Sequence, residues 1–464
     1  MNPILRSLAL AIVITALGGC SIGPDYRRPD TDLPPAWKEA GTWKPAEPRD
    51  AAPAGPWWQV YGDPQLDGLL AEVAVSNQNV QAAAAQYRQA LALLGTARAA
   101  RFPLLSADLS ANRAAAADLP AANTDRLGFT ATWEADVWGR LSRGVEAGEA
   151  NAAASAADLQ AALLSAQATL AQSYLQLRVT DVQTQVLVRT IASYTRSLEI
   201  TRNRYRAGVA SRLDVAQAEA QLKSTEAQAI DLGLARAQLE HAIALLVGKA
   251  PARLSVAASD TLPASPELPL LLPSELLERR PDVAAAERRV AAANAQIGVA
   301  QGAFFPTLAL GASAGYQGSG FGHLLSAPNR FWSLGPALAL TLFDGGARRA
   351  QKEQAVAAWE QTVANYRQTV LTGFQEVEDN LAALRLLDAE IAVQSDATRA
   401  AQESLALAEN QYKAGIVSYL NVIVAQATAQ AAETGGIALE GRRLAAGVAL
   451  LKAIGGDWRV AAAP

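Results

Sequence analysis

The sequence holds one cysteine, Cys20, and two histidines, His241 and His323, among 464 residues. A disulfide framework and a cysteine-based zinc site are therefore excluded. The histidines stand far apart without ligand-spaced companions and read as ordinary polar positions, so no metal or cofactor is expected. Charge is sparse as well: 18% of residues are charged, the net charge is −4, and Lys and Arg are scattered, which gives a nucleic-acid partner no electrostatic support. No apolar run reaches the roughly 18 residues of a transmembrane helix. No nucleophile–base pair, phosphate loop or metal cluster is visible, so an enzyme is not expected. Proline, finally, is missing from two long segments, Leu141 to Arg206 and Ala347 to Lys413.

The single cysteine sits where a leader ends. In "MNPILRSLALAIVITALGGCSIGPDY", Arg6 supplies positive charge and Leu8 to Leu17 an apolar stretch too short to span a bilayer. Gly18 and Gly19 lead directly into Cys20, and "LGGC" resembles the bacterial lipobox. That resemblance implies that residues 1–19 are a signal peptide, that Cys20 is acylated, and, with Ser21 next, that the chain is sent to the outer membrane. Acyl chains contribute about 0.8 kcal/mol per buried CH₂ and anchor firmly together. Residues 20–60, rich in Pro and charge, read as a lipid-anchored extended strap.

A figure then occurs twice: "YRAGVASRLDV" at 205–215 and "YKAGIVSYLNV" at 412–422. Internal repeats of this kind govern the fold. Backwards from Tyr205, every seventh position gives Leu198, Ile191, Thr184, Leu177, Leu170 and Leu163; backwards from Tyr412 it gives Leu405, Thr398, Ile391, Leu384, Val377 and Val370. Apolar heptads predict helices that supercoil left-handedly against neighbours, and the many alanines add helix propensity. Each proline-free segment predicts a helix on the order of 100 Å long, a glycine turn (Gly208, Gly415), and a shorter returning helix. Earlier, "NVQAAAAQYRQALALLGTARAARFP" (79–103) parallels "DVAAAERRVAAANAQIGVAQGAFFP" (282–306), with Phe-Pro closing both.

Between these helices the period changes to two. Leu105, Ala107, Leu109 and Ala111 alternate with Ser106, Asp108, Ser110 and Asn112; Phe129, Ala131, Trp133, Ala135 and Val137 alternate with Gly128, Thr130, Thr132, Glu134 and Asp136. The second copy offers Leu308, Leu310, Ala312, Ala314 and Tyr316, then Trp332, Leu334, Leu338, Leu340 and Leu342, with Pro336 predicting a bulge or an irregular hydrogen bond. Strands of about 9–11 residues, apolar on one face, fit a tilted transmembrane barrel; a soluble two-hairpin sheet is the alternative. In the barrel reading Phe129, Trp133, Leu338 and Leu340 face lipid, while Asp108, Glu134 and Asp136 face the lumen. Four strands cannot enclose an interior, for which roughly eight are needed, and open edges are untenable in lipid. Three copies would supply twelve strands and a lumen.

"PWWQVYGDPQLDGLLAEV" (56–73), "LPSELLERRPDVAAAE" (272–287) and "LFDGG" (342–346) are similar to signatures of TolC/OprM-type outer-membrane efflux lipoproteins, the NodT group. The resemblance covers about Cys20 to Trp458. It implies a mixed, mainly α fold made of a duplicated strand-strand-long-helix-hairpin repeat. Assembled as a homotrimer, this would form a 12-stranded outer-membrane β-barrel continued by a periplasmic α-helical coiled-coil barrel. The chain then divides into the leader, the strap, repeat 1 (61–250, β-hairpin about 103–138, helical hairpin 141–247), a linker (251–272), repeat 2 (273–456, β-hairpin about 307–343, helical hairpin 347–454) and a tail (457–464). It implies a passive, gated duct for small molecules that works with a periplasmic adaptor and an inner-membrane pump, commonly of the resistance-nodulation-division type. A duct for secreted polypeptides, or a structural coiled-coil envelope lipoprotein, are the alternatives. By match, the adaptor meets the hairpin tips at Gly208, Val209, Ser211, Gly415, Ile416 and Ser418. Members often carry carboxylates just past the second tip; here Asn421 and Val424 stand there. Asp214 in the first repeat is either a gate carboxylate or a solvated early-helix Asp favoured by the helix dipole.

Overall fold

The computed structural model describes residues 22–31, 36–39, 56–116, 119–266 and 280–456. Cys20 and most of the strap lie outside the described residues. The chain gathers into two compact units, one from residues up to 31 with 85–157 and 283–369, the other from 32–84 with 158–282 and 370 onward. Each unit draws on both sequence repeats, so the repeats interleave.

In order, the elements are helices α1 (Pro64–Ser76) and α2 (Gln78–Ala99), strands β1 (Leu104–Ala116) and β2 (Leu119–Ala135), and helices α3 (Arg140–Arg206), α4 (Arg212–Leu246) and α5 (Pro281–Gly302). Strands β3 (Thr307–Gly318) and β4 (Arg330–Ala339) and helices α6 (Ala347–Lys413) and α7 (Tyr419–Ala453) complete it. The fold is mainly α, and both helical hairpins fall where the proline-free heptads predict them. None of the described helices is long and apolar enough to cross a membrane.

The first unit is built on one antiparallel sheet in the order β1-β2-β3-β4. Its register aligns Ala107, Phe129, Ala314 and Trp332 in one cross-strand row, and Ser106, Thr130, Ser313 and Ser333 in another. Directly paired residues share a face, so alternate rows are apolar and polar across all four strands. Apolar rows run along β2 from Leu127 to Ala135, a stretch suited to a tilted membrane strand of about 9–11 residues. β2 itself has 17 residues, longer than expected. The extension pairs small and polar residues (Arg113 with Asn123, Ala114 with Ala122), and backbone pairing without apolar alternation leaves no period-two signal.

Of the two expectations for Pro336, a bulge or an irregular hydrogen bond, the bulge is absent: β3 and β4 pair in unbroken register through Leu310 and Pro336, while proline has no N–H to give the ladder. β4 is the edge strand of this sheet, where a missing N–H can be tolerated. A register shift does occur between Ala114 and Ala116. The strap's described residues cross the unit's helices: Tyr26 donates to Glu287, Asn294 Nδ2 donates to the Pro24 carbonyl at 2.9 Å, and Arg143 reaches Asp25 at 3.1 Å.

In the second unit, α1 begins at Asp63, whose side chain accepts from the backbone N–H groups of Gln65 and Leu66. Heptad residues Leu170, Leu177, Leu198, Val370, Val377 and Leu384 are buried, and the remaining members of both series are half-buried. A buried polar chain ties the linker to this unit. Arg178 donates to Gln65 Oε1, the Tyr174 hydroxyl and the Ala257 carbonyl, each at 2.6 Å, while Tyr174 donates to Asp63. Arg236 pairs with Asp181 at 2.7 Å and also holds the Val256 carbonyl. The arginine of the "RPD" motif, Arg280, is buried between Asp282 and Glu376 and donates to the Ala453 carbonyl. These carboxylates outweigh its desolvation and hold its pKa above the usual arginine value. The motif thus fastens the start of α5 to α6 and α7.

Candidate functional site: the two hairpin tips

Both tips have the same backbone. Gly208 and Gly415 take φ of +74° and +76°, the left-handed region where glycine carries no Cβ penalty. Val209 N–H donates to the Arg204 carbonyl and Ile416 N–H to the Gln411 carbonyl, both at 2.9 Å; Gly208 and Gly415 bond back to Tyr205 and Tyr412. This pairing is the Schellman closure of a helix C-terminus. It projects Val209 and Ile416 into solvent, 65% and 73% exposed, with Leu213 and Leu420 also exposed. Each tip therefore presents two apolar side chains on a fixed turn.

The side chains differ. At the first tip Ser211 and Asp214 form a capping box: Asp214 N–H donates to Ser211 Oγ at 3.1 Å and Ser211 N–H to Asp214 Oδ2 at 2.9 Å. The Asp214 carboxylate is thus engaged at the start of α4. At the second tip Ser418 is the N-cap without a side-chain hydrogen bond. Asn421 N–H donates to the Ser418 carbonyl, and Asn421 and Val424 are exposed.

Beneath the tips, Tyr412, Tyr419 and Val422 pack with Tyr194, Leu198, Val215, Ala218 and Leu222 in one buried cluster. The Tyr412 and Tyr419 rings lie 5.2 Å apart. Arg204 covers the Tyr412 ring at 4.6 Å and donates to the Tyr412 carbonyl at 2.9 Å. Burial pushes the Tyr419 and Tyr194 hydroxyls above the usual phenol pKa. Arg204, Tyr419 and Tyr194 escaped the sequence reading because nothing in the repeat marks which of two matching residues turns inward. Gln426, one turn and more beyond Val422, is buried with neither amide atom hydrogen-bonded.

On the sheet, Phe129 and Leu338 lie exposed in apolar rows, and Trp133 lies half-buried in one, its indole N–H donating to the Arg101 carbonyl at 2.9 Å. Leu340 falls just past the end of β4. Asp108 and Glu134 stand on the polar face, Asp108 near Arg126 at 3.5 Å and Glu134 bonded twice to Arg140 at 2.7 and 2.8 Å. Asp136 corrects the lumen expectation: it lies beyond β2 and accepts from Leu141 N–H, Ser142 N–H and Ser142 Oγ. The first turn of α3 offers free N–H groups that a carboxylate satisfies, so the alternation ends one residue before Asp136.

The chain matches the family model "Outer membrane efflux protein" over residues 69–249 and 272–456. It is 31% identical to the probable efflux pump outer membrane protein TtgC of Pseudomonas putida, with 97% of this chain and 95% of the relative aligned. It is also 31% identical to the pyoverdine export outer membrane protein OpmQ of Pseudomonas aeruginosa, with 98% of each covered. Among solved structures, the outer-membrane channel OprN superposes with a TM-score of 0.88 at 31% identity, over 94% of this chain and 99% of the other. The open state of the Neisseria gonorrhoeae MtrE outer membrane channel gives 0.84 at 27% identity, over 94% and 98%. The duplicated hairpins, the two-faced sheet and these full-length matches agree: the chain belongs to the outer membrane efflux protein family and is an outer-membrane channel component of efflux.

Proposed function

We propose that three copies of this chain close a twelve-stranded barrel in the outer membrane, and that the assembly is a passive duct for small molecules. One observation carries the reading. A four-stranded sheet with one apolar face and one polar face ends in two unpaired edges, β1 and β4. Such edges cannot stand in lipid, and four strands leave no interior; edge-to-edge pairing of three copies removes both problems. Phe102, Phe304 and Phe343, exposed where the strands meet the helices, suit the aromatic girdle of a membrane barrel. Cys20 is the acylation site and adds an anchor.

The six tips of a trimer ring the periplasmic mouth, and the exposed Val209 and Ile416 with their turns receive a periplasmic adaptor that couples the duct to an inner-membrane pump of the resistance-nodulation-division class. Opening moves the second hairpin's tip off the first, releasing the Arg204–Tyr412 contact, and adaptor binding favours the state in which its contacts exist. The test is conductance of the purified acylated protein in planar bilayers, together with its mass in detergent. A trimer whose conductance rises when Tyr412→Ala loosens the tip supports the duct. A monomer, or a trimer that never conducts with the tip loosened, sinks it.

A further inference from the structure

The polar face of the sheet carries few charges, and the structure matches each of them with its opposite. Among the described strand residues in its rows, only Asp108, Arg126 and Glu134 are charged. Glu134 is neutralised by Arg140. Asp108 and Arg126 sit diagonally across β1 and β2 at 3.5 Å, and the Arg126 guanidinium lies over the Phe331 ring at 4.7 Å. The other charges of the strands, Arg113, Asp125 and Arg330, have the opposite parity and lie outside the apolar rows or at their end.

The stack is built into the backbone. The row that holds Asp108 and Phe331 has glycine at both intervening positions, Gly128 and Gly315. A Cβ at 128 would come within 2.8 Å of Asp108 Oδ1 and 3.1 Å of Arg126 Nε; one at 315 would meet the Leu127 carbonyl oxygen at 2.2 Å and Phe331 Cε1 at 3.0 Å. The glycines therefore clear the floor on which a carboxylate, a guanidinium and an aromatic ring lie side by side. A phenylalanine on a polar face is otherwise out of place. As a platform under a guanidinium it has a reason, because the face of an aromatic ring attracts a cation held over it.

We propose that Arg126, seated on Phe331, is the residue that cancels the Asp108 charge inside the duct, so that the membrane-embedded part of the lumen discriminates little between cations and anions. The inference rests on the duct reading and goes beyond it: the strand alternation points to Asp108, and the structure adds the arginine that pairs with it and the ring beneath that arginine. In a trimer each residue occurs three times, so removing one partner exposes three like charges to the permeating ions. Oriented charge in a low-dielectric passage raises the local concentration of counter-ions, and the effect is strongest where the Debye length, ~10 Å at 0.1 M salt, is comparable with the passage.

The experiment is the reversal potential of the acylated full-length trimer in planar bilayers under a KCl gradient near 0.1 M, in a Tyr412→Ala background that keeps the tips loose. Arg126→Gln should raise the cation-to-anion permeability ratio about threefold or more, Asp108→Asn should lower it by a similar factor, and the double variant should return to the parent value. Arg126→Lys, which keeps the charge, should stay near the parent. If either single change leaves the ratio unmoved in a conducting trimer, or the double variant does not return, the proposal is overturned. Should Arg126→Gln fail to assemble, Asp108→Asn, nearly isosteric, decides alone: an anion shift supports the pairing and no shift refutes it. A parent that does not conduct at all defeats the duct reading; a conducting parent with unmoved variants defeats this inference only.

Discussion

The two tips share a turn and differ in what holds it. Tyr205 and Tyr412 occupy matching places three residues before the glycine, yet Tyr205 is 44% exposed and Tyr412 only 7%. The first tip fastens itself locally, through the Ser211–Asp214 capping box. The second has no side-chain cap and is held by tertiary packing, with Tyr412 and Tyr419 buried against Tyr194, Leu198 and Leu222 and with Arg204 reaching across. A locally capped turn keeps its shape whatever its neighbours do. A turn held by packing on another hairpin is free to move once that packing is lost. The repeat thus yields one tip with a side-chain cap and one without from nearly the same eleven residues.

The sharpest break of this comparison is truncation of the matching tyrosines. Tyr412→Ala should destabilise its tip by about 3–5 kcal/mol, the range for large buried aromatics. Tyr205→Ala, mostly solvated, should stay within about 0.5 kcal/mol. Hydrogen exchange of the tip amides measures both, and fast exchange should appear around residues 412–422 in the first variant alone. Equal effects would mean that the two tips are held alike.

A second pair of changes should erase the difference. Gly208→Ala and Gly415→Ala both place a Cβ in the left-handed region, with open space around each glycine. The conformational cost, roughly 1–2 kcal/mol, is then intrinsic to the residue and the same for both. Protection of the Val209 and Ile416 amides, which close the two turns, should fall by similar factors. An unequal loss would show that packing, and not backbone alone, sets one of the turns.

This division marks how far the sequence could be read. Helix limits at Arg206 and Lys413 followed from proline-free heptads and a glycine, because both signals are local. The two faces of the sheet followed from alternation, and the register keeps them. Asp136 continues the alternation on paper but belongs to the helix beyond, since period two carries no mark of where a strand stops. Arg204 and Arg206 look alike in the heptads, yet only Arg204 covers a tyrosine. The burial of Tyr412 and the stack of Arg126 on Phe331 depend on residues from the other repeat, and pairing between segments so remote in the chain leaves no periodic trace.

The smallest effect separates the two serines. Ser211 accepts from the Asp214 amide, whereas Ser418 caps without a side-chain hydrogen bond. Ser211→Ala should therefore cost about 1 kcal/mol at the start of α4, a typical N-cap loss, by leaving the Asp214 N–H without its Oγ acceptor, while the Ser211 N–H can still donate to the Asp214 carboxylate. Ser418→Ala removes no such bond and should change the start of α7 by a few tenths of a kcal/mol at most. Amide exchange over the first turns of α4 and α7 reads both changes within one molecule, each helix serving as the control for the other. If Ser418→Ala proves as costly as Ser211→Ala, the second tip has a local fastening of its own and the opening movement proposed for the second hairpin loses its physical basis. If only Ser211→Ala costs, the second tip has no side-chain cap, and beyond its backbone turn it is the buried cluster and the Arg204 contact that resist its movement.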